Sequence, residues 1–168
     1  MDVISGRGRL LGARIRSALG VIVAFLTLLP SLACLSPPLE LTPERLAGLP
    51  RTRLEQGDAA RQAIGHLHGK DVAPVQSAVA MYGEGGPLVL FASRFADAPT
   101  AARTLRTMLD RMSPGGTPFS PPVPNPARPG TWLTVGPGGH HALWAAGDAV
   151  YWLQGDPATL DTARRELP

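Results

Sequence analysis

TWLTVGPGGHHALWAAGDAVYWLQ, residues 131–154, decides the fold. Three runs rich in β-branched, aromatic and small residues are separated by two turn signals. Gly136-Pro137-Gly138-Gly139 divides the first from the second, and Gly147-Asp148 divides the second from the third. Runs this short, joined by Gly-rich turns, cannot be parallel strands, which need a crossover of a dozen or more residues between them. The stretch predicts antiparallel strands over 131–135, 140–146 and 149–154. Asp156 followed by Pro157 then starts a closing helix, since Asp caps free amides and Pro is pre-shaped for the first helical position. Leu160, Ala163 and Leu167 fall on its inner side.

Upstream, a similar succession recurs. Val72 to Tyr82 reads as extended, Gly83 to Gly86 as a turn, and Pro87 to Phe95 as a strand so apolar that it must lie inside its sheet. Asp97 caps a helix reaching Met112, with Ala102, Leu105, Met108, Leu109 and Met112 on one side. Strand, turn, strand, capped helix over 78–109 matches the order over 141–167, a possible internal strand-strand-helix repeat. A further helix is expected over 58–68, with Ala60, Ala63, Ile64 and Leu67 at one-face spacing and Gly69 to end it. The fold class is therefore α+β: an antiparallel sheet of hairpins with about three helices packed on one face. Between the second helix and residue 131 lie 18 residues with seven prolines and three glycines, a Pro-rich loop at 113–130 in which Phe119 is the one large apolar side chain. The domain assignment is 1–33 as a leader, 34–56 as tether and short helical turn (Thr42-Pro43 to Gly48), and 57–168 as one domain.

The leader sets the compartment. Arg7, Arg9, Arg14 and Arg16 precede an uncharged run of 23 residues from Ser17 to Leu39, interrupted by Pro30. Its apolar heart, 18–29, is too short alone to cross a hydrocarbon core of ~30 Å at a helical rise of ~1.5 Å per residue. Ser31-Leu32-Ala33 places small residues at −3 and −1 before Cys34, the only cysteine of the chain. Residues 1–34 thus resemble a bacterial lipoprotein signal. Ala33 and Cys34 fit that pattern, while Ser31 stands where Leu is usual and Leu32 where a small residue is usual. The resemblance implies cleavage after Ala33 and lipid attachment at Cys34. A signal cut without lipidation and an uncleaved anchor are the other two readings. All three export the body, because the arginines stay on the inner side, so it is expected at a membrane, facing the periplasm or the cell exterior.

The leader also accounts for the basic balance. Of 16 basic and 13 acidic residues it holds four and one, leaving twelve of each in the body. A neutral body with interspersed charges lacks the basic face that displaces counterions from phosphate, which argues against nucleic acid as a partner. Fifteen arginines to one lysine reads as the composition of a GC-rich bacterial genome.

Chemistry is sparse in the body. With no thiol beyond Cys34, disulfides, cysteine nucleophiles and Cys-ligated metals are excluded there. His66, His68, His140 and His141 are the candidate metal or haem ligands, but each pair points to opposite sides of its element, and helix-end and turn histidines explain them more simply. The glycine runs lead from strand to strand, whereas a phosphate loop leads into a helix N-terminus. Ser77, Ser93, Ser113 and Ser120 sit in no nucleophile elbow, and Glu84 has no partner carboxylate. No motif calls for a cofactor, and no constellation reads as an enzyme's. Trp132, Trp144, Tyr151 and Trp152 crowd the last three strands, and with helices on one face only, at least one ring is expected on the open face as a binding surface. The reading is an exported, membrane-tethered, non-catalytic binding or accessory protein, held by lipid or anchor and partnering a membrane complex. A histidine-dependent metal or haem binder and an enzyme with an unrecognised site are the alternatives.

Overall fold

A computed structural model describes residues 40–68 and 74–168, all within one compact unit. The leader, with the cleavage expected after Ala33 and the lipid attachment expected at Cys34, lies outside the described residues. Eight strands form one antiparallel sheet in the order β1-β2-β3-β4-β8-β7-β6-β5, with three helices, so the α+β class holds. The strands are β1 (Arg45–Leu46), β2 (Leu49–Gln56), β3 (Gln76–Tyr82), β4 (Leu88–Arg94), β5 (Val123–Pro124), β6 (Thr131–Gly136), β7 (Gly139–Ala146) and β8 (Ala149–Gly155). The helices are α1 (Gly57–His68), α2 (Ala98–Met112) and α3 (Pro157–Glu166).

The hairpins form where the turn signals stand. β3 and β4 pair from Gln76↔Arg94 to Tyr82↔Leu88, and β7 and β8 pair from His140↔Gly155 to Ala146↔Ala149. The two hairpins meet through β4 and β8, at Phe91↔Trp152 and Ala92↔Tyr151. Both predicted caps are present. The Asp97 carboxylate accepts from the Thr100 amide, and that of Asp156 from the Ala158 and Thr159 amides. α2 turns Ala101 and Thr104 inward with Leu105, Met108, Leu109 and Met112, while Ala102, expected inside, is exposed.

Two expectations are corrected. Residues 34–56 were to hold a tether and a helical turn, but 45–56 form a hairpin. Ala47 and Gly48 turn it with φ of 51° and 74°, and β2 continues to Gln56 along β3. Two successive residues at positive φ match the primed turn whose twist suits a hairpin. Leu46 is fully buried, and the Tyr82 hydroxyl donates to the Pro43 carbonyl at 3.0 Å. This segment therefore belongs to the core. Second, the helices do not share one face. Ala60 and Ile64 of α1 pack on Val79 and Val89, and α2 packs on Leu143, Val150 and Trp152, on the same side of the sheet. Leu160, Ala163 and Leu167 of the α3 segment pack on the alternate residues, Leu90, Trp144, Tyr151 and Leu153, together with Leu41 and Leu46. A twofold axis normal to the sheet would keep α2 and α3 on one face, so the recurrence stops at the strand order.

The Pro-rich loop has a topological task. α2 leaves β4 at the sheet centre, yet β5 lies four strands away, about 19 Å at the usual strand spacing. The loop completes that journey and then closes the edge. Val123 and Pro124 pair with β6, the Ser120 amide donates to the Val135 carbonyl at 2.8 Å, and the Thr134 hydroxyl donates to the Ser120 carbonyl at 2.6 Å.

Candidate functional site

Strand alternation sends His141 and His140 to opposite faces, as adjacent strand residues must go. His141 shares the α2 face with Trp152 and is 2 % exposed. Its Nδ1 accepts from the Trp152 indole N–H at 2.9 Å, and its Nε2 stands 3.0 Å from the Pro137 carbonyl. An indole nitrogen only donates and a carbonyl only accepts, so the ring is neutral with its proton on Nε2. Burial lowers its pKa below the ordinary 6.5, with a smaller push from His140 and an opposing pull from the Pro137 carbonyl. Both nitrogens are thus spoken for by the protein. Neither has a lone pair to offer a metal or a substrate proton.

Phe119, the loop's apolar anchor, completes this cluster. Its ring lies edge-on to His141 and to Trp152, each centroid 5.2 Å away. Gly136 makes room for it, since a Cβ there would stand 2.2 Å from Phe119 Cδ1.

A cleft of about 540 Å³ opens beside the cluster, between α2, the loop and the sheet. Phe91, Met108, Met112, Phe119 and Trp152 supply its apolar walls, and Arg111 and Gln154 its polar groups. No Asp or Glu is among its lining residues. A second hollow of about 300 Å³ lies on the same sheet face towards α1, lined by Val79, Met81 and Val89, with Arg53 and Glu55 at its border. Phe91 and Gln154 line both, so the two adjoin. Arg53 and Glu55 pair with each other.

The opposite face carries a cleft of about 440 Å³ between β6, the loop and α3, and His140 lines it. Arg164 there sits 4.3 Å over the Trp144 ring and donates to Thr131 Oγ1 and to the Leu167 and Pro168 carbonyls. That guanidinium is occupied in holding α3 to the sheet.

The aromatic surface expected at Trp132, Trp144, Tyr151 and Trp152 is corrected. Trp144 is fully buried, Tyr151 is 1 % and Trp152 3 % exposed, and only Trp132 is half-buried. The reason is the cover on the second face: Trp144 stacks on Tyr151 beneath α3, with centroids 5.1 Å apart, and its N–H donates to the Pro168 carbonyl. Trp152 does line the α2-side cleft, from inside. The side chains of His66 and His68 lie outside the described residues. Among the described residues, no three His, Cys, Asp or Glu side chains come together, and no helix is long and apolar enough to cross a membrane. Ser77 and Ser93 face each other, buried, with their hydroxyl oxygens 3.5 Å apart. The cleft itself was not foreseen; its walls come from β4, α2, the loop and β8, which no local pattern links. In comparisons with protein-family models, curated proteins and solved structures, none matches the chain.

Proposed function

We propose that this chain is an exported, membrane-tethered, non-catalytic binding protein that holds an apolar ligand in the cleft between α2, the Pro-rich loop and the sheet. The cleft carries the reading. It has the size and mostly apolar lining of small-molecule sites, with few polar groups to orient a guest. Its one imidazole is locked between Trp152 and Pro137, which favours binding over proton transfer. The arginine-rich leader ending in Ser31-Leu32-Ala33-Cys34 supports export and attachment by lipid at Cys34.

The test uses the full-length chain taken from the membrane fraction. Mass spectrometry of the mature N-terminus is expected to find an acylated Cys34. Native mass spectrometry is expected to find one retained apolar molecule per chain, lost from Thr117→Trp, where a large ring at a half-buried rim position fills the mouth. An intact Met1 contradicts the lipid attachment, and retention undiminished in T117W contradicts the cleft as the site.

A further inference from the structure

His141, Trp152 and Phe119 line the α2-side cleft and pack edge-on against one another. Their arrangement depends on one proton. The neutral imidazole accepts from the Trp152 N–H at Nδ1 and donates from Nε2 to the Pro137 carbonyl. A charged imidazole donates from both nitrogens, and an indole nitrogen never accepts. A second proton on His141 therefore sets one donor against another across 2.9 Å. The Pro137 bond survives, because Nε2 donates in both states, so the Trp152 contact is the one that must break.

The surroundings of the ring do not relieve the conflict. β6 sets Thr134 opposite His141 and β8 sets Gln154 there, and neither titrates. Phe119 and Pro137 bring no charge. His140 on the same strand adds a like charge, α2 brings the Arg111 cation to the cleft, and no carboxylate lines it. Burial already holds the pKa of His141 below the ordinary 6.5.

The cover is built to give way. The loop is tied to β6 at Ser120, whose amide donates to the Val135 carbonyl and whose carbonyl accepts from Thr134. Ahead of that tie Gly115 and Gly116 turn with φ of 76° and 89°, and the Phe119 amide donates back to Thr117 Oγ1. The Phe119 ring rests on His141 and Trp152 by contact between rings.

Resting on the binding reading above, we propose that the α2-side cleft releases its guest on acidification: a proton on His141 drives the Trp152 indole off Nδ1 and breaks the wall these rings form with Phe119. Linkage is reciprocal, so a bound guest holds the proton off in return. Imidazole is the side chain suited to such a change between neutral and mildly acid surroundings.

The test uses the full-length chain, labelled at histidine and tryptophan nitrogens and at methionine methyls, with naphthalene as the guest. Naphthalene is apolar and does not titrate, so pH acts only through the protein. As pH falls from 7.5, the Trp152 indole signal is expected to move in step with protonation of His141 Nδ1. The Trp144 indole, bonded to the Pro168 carbonyl beneath α3, is expected to stay and reports an intact fold. Naphthalene affinity, read from the Met108 and Met112 methyls, is expected to fall about tenfold once nine in ten His141 rings are charged. Saturating naphthalene is expected to push that protonation to lower pH. His141→Asn keeps an acceptor near the Nδ1 position and takes up no proton, and its affinity is expected to stay level across the same range. His140→Gln, on the opposite face, is expected to keep the full fall. A Trp152 signal that stays while Nδ1 is protonated, a Trp144 signal lost along with it, an affinity that does not fall, or an equal fall in H141N overturns the switch. Naphthalene that fails to bind even at pH 7.5 counts against the binding reading, and the two indole signals then decide the switch by themselves.

Discussion

Trp152 and His141 show how one hydrogen bond sets a residue's chemistry. The Trp152 N–H occupies Nδ1, so His141 stays neutral unless that bond breaks. Its folded pKa lies below the ordinary 6.5 and the unfolded chain takes up the proton first, so the contribution to stability is complete above 6.5. It is lost as pH falls from 6.5 through the lower folded value. Denaturation midpoints followed downward from pH 8 are expected to start dropping near 6.5. Asp97 and Asp156 act lower still. Hydrogen bonds from Thr100 and Thr159 hold them below 3.8, and their contribution is lost only as pH falls beneath that value. At the alkaline end burial pushes Tyr82 up to about 12, so its contribution holds below the ordinary 10.0 and is lost as pH rises from there towards 12. Trp152→Phe keeps the ring and removes the donor, leaving a buried acceptor unpaired. Urea denaturation is expected to show a loss of about 1–3 kcal/mol. Gly136→Ala drives a methyl into Phe119 and is expected to cost about 1–3 kcal/mol in the same measurement, the range for overpacking. Neither lock was legible beforehand. The alternation of His140 and His141 was, because it is local; Trp152 and Phe119 come from two other stretches, and Pro137, four residues before His141, is aimed at the ring by the turn.

At the scale of elements, legibility tracked the strength of local signals. Asp97 with its apolar stripe, Asp156-Pro157, and the Gly-rich turns all stood where the sequence pattern placed them. The hairpin of β1 and β2 was hidden by Pro43, Pro50 and a run, Arg51 to Gln56, that alternates by charge instead of hydrophobicity. That is the dress of an edge strand, which carries charges to discourage pairing with other chains. The sharpest test is Leu46→Ala. A buried leucine in a core cluster is expected to cost about 2–5 kcal/mol on truncation, measured by denaturant unfolding. No loss would return 45–56 to a tether. Ala47, the non-glycine described residue at positive φ, offers the opposite change. Ala47→Gly relieves left-handed strain of about 1–2 kcal/mol against a smaller gain in unfolded-chain entropy, so a slight rise in stability is expected.

Across the described residues, the sheet is covered twice: by α1 and α2 on one side, and by α3, with Leu41 and Leu46 beside it, on the other. Placing all the helices on one face left an aromatic surface to be exposed; the second cover removes it. Which side a helix takes is decided by where its connection leads, and that is long-range information. For the proposed function, the candidate site moves from the rings of the last hairpin to the seam where α2 and the Pro-rich loop do not fully close over β4 and β8. Met108 and Met112 along that seam allow one decisive measurement, a methyl spectrum of the methionine-labelled full-length chain from the membrane fraction, recorded before and after the retained molecule is extracted. Extraction is predicted to shift both methyls. Met108 and Met112 methyls that stay fixed on extraction would contradict the cleft as the binding site.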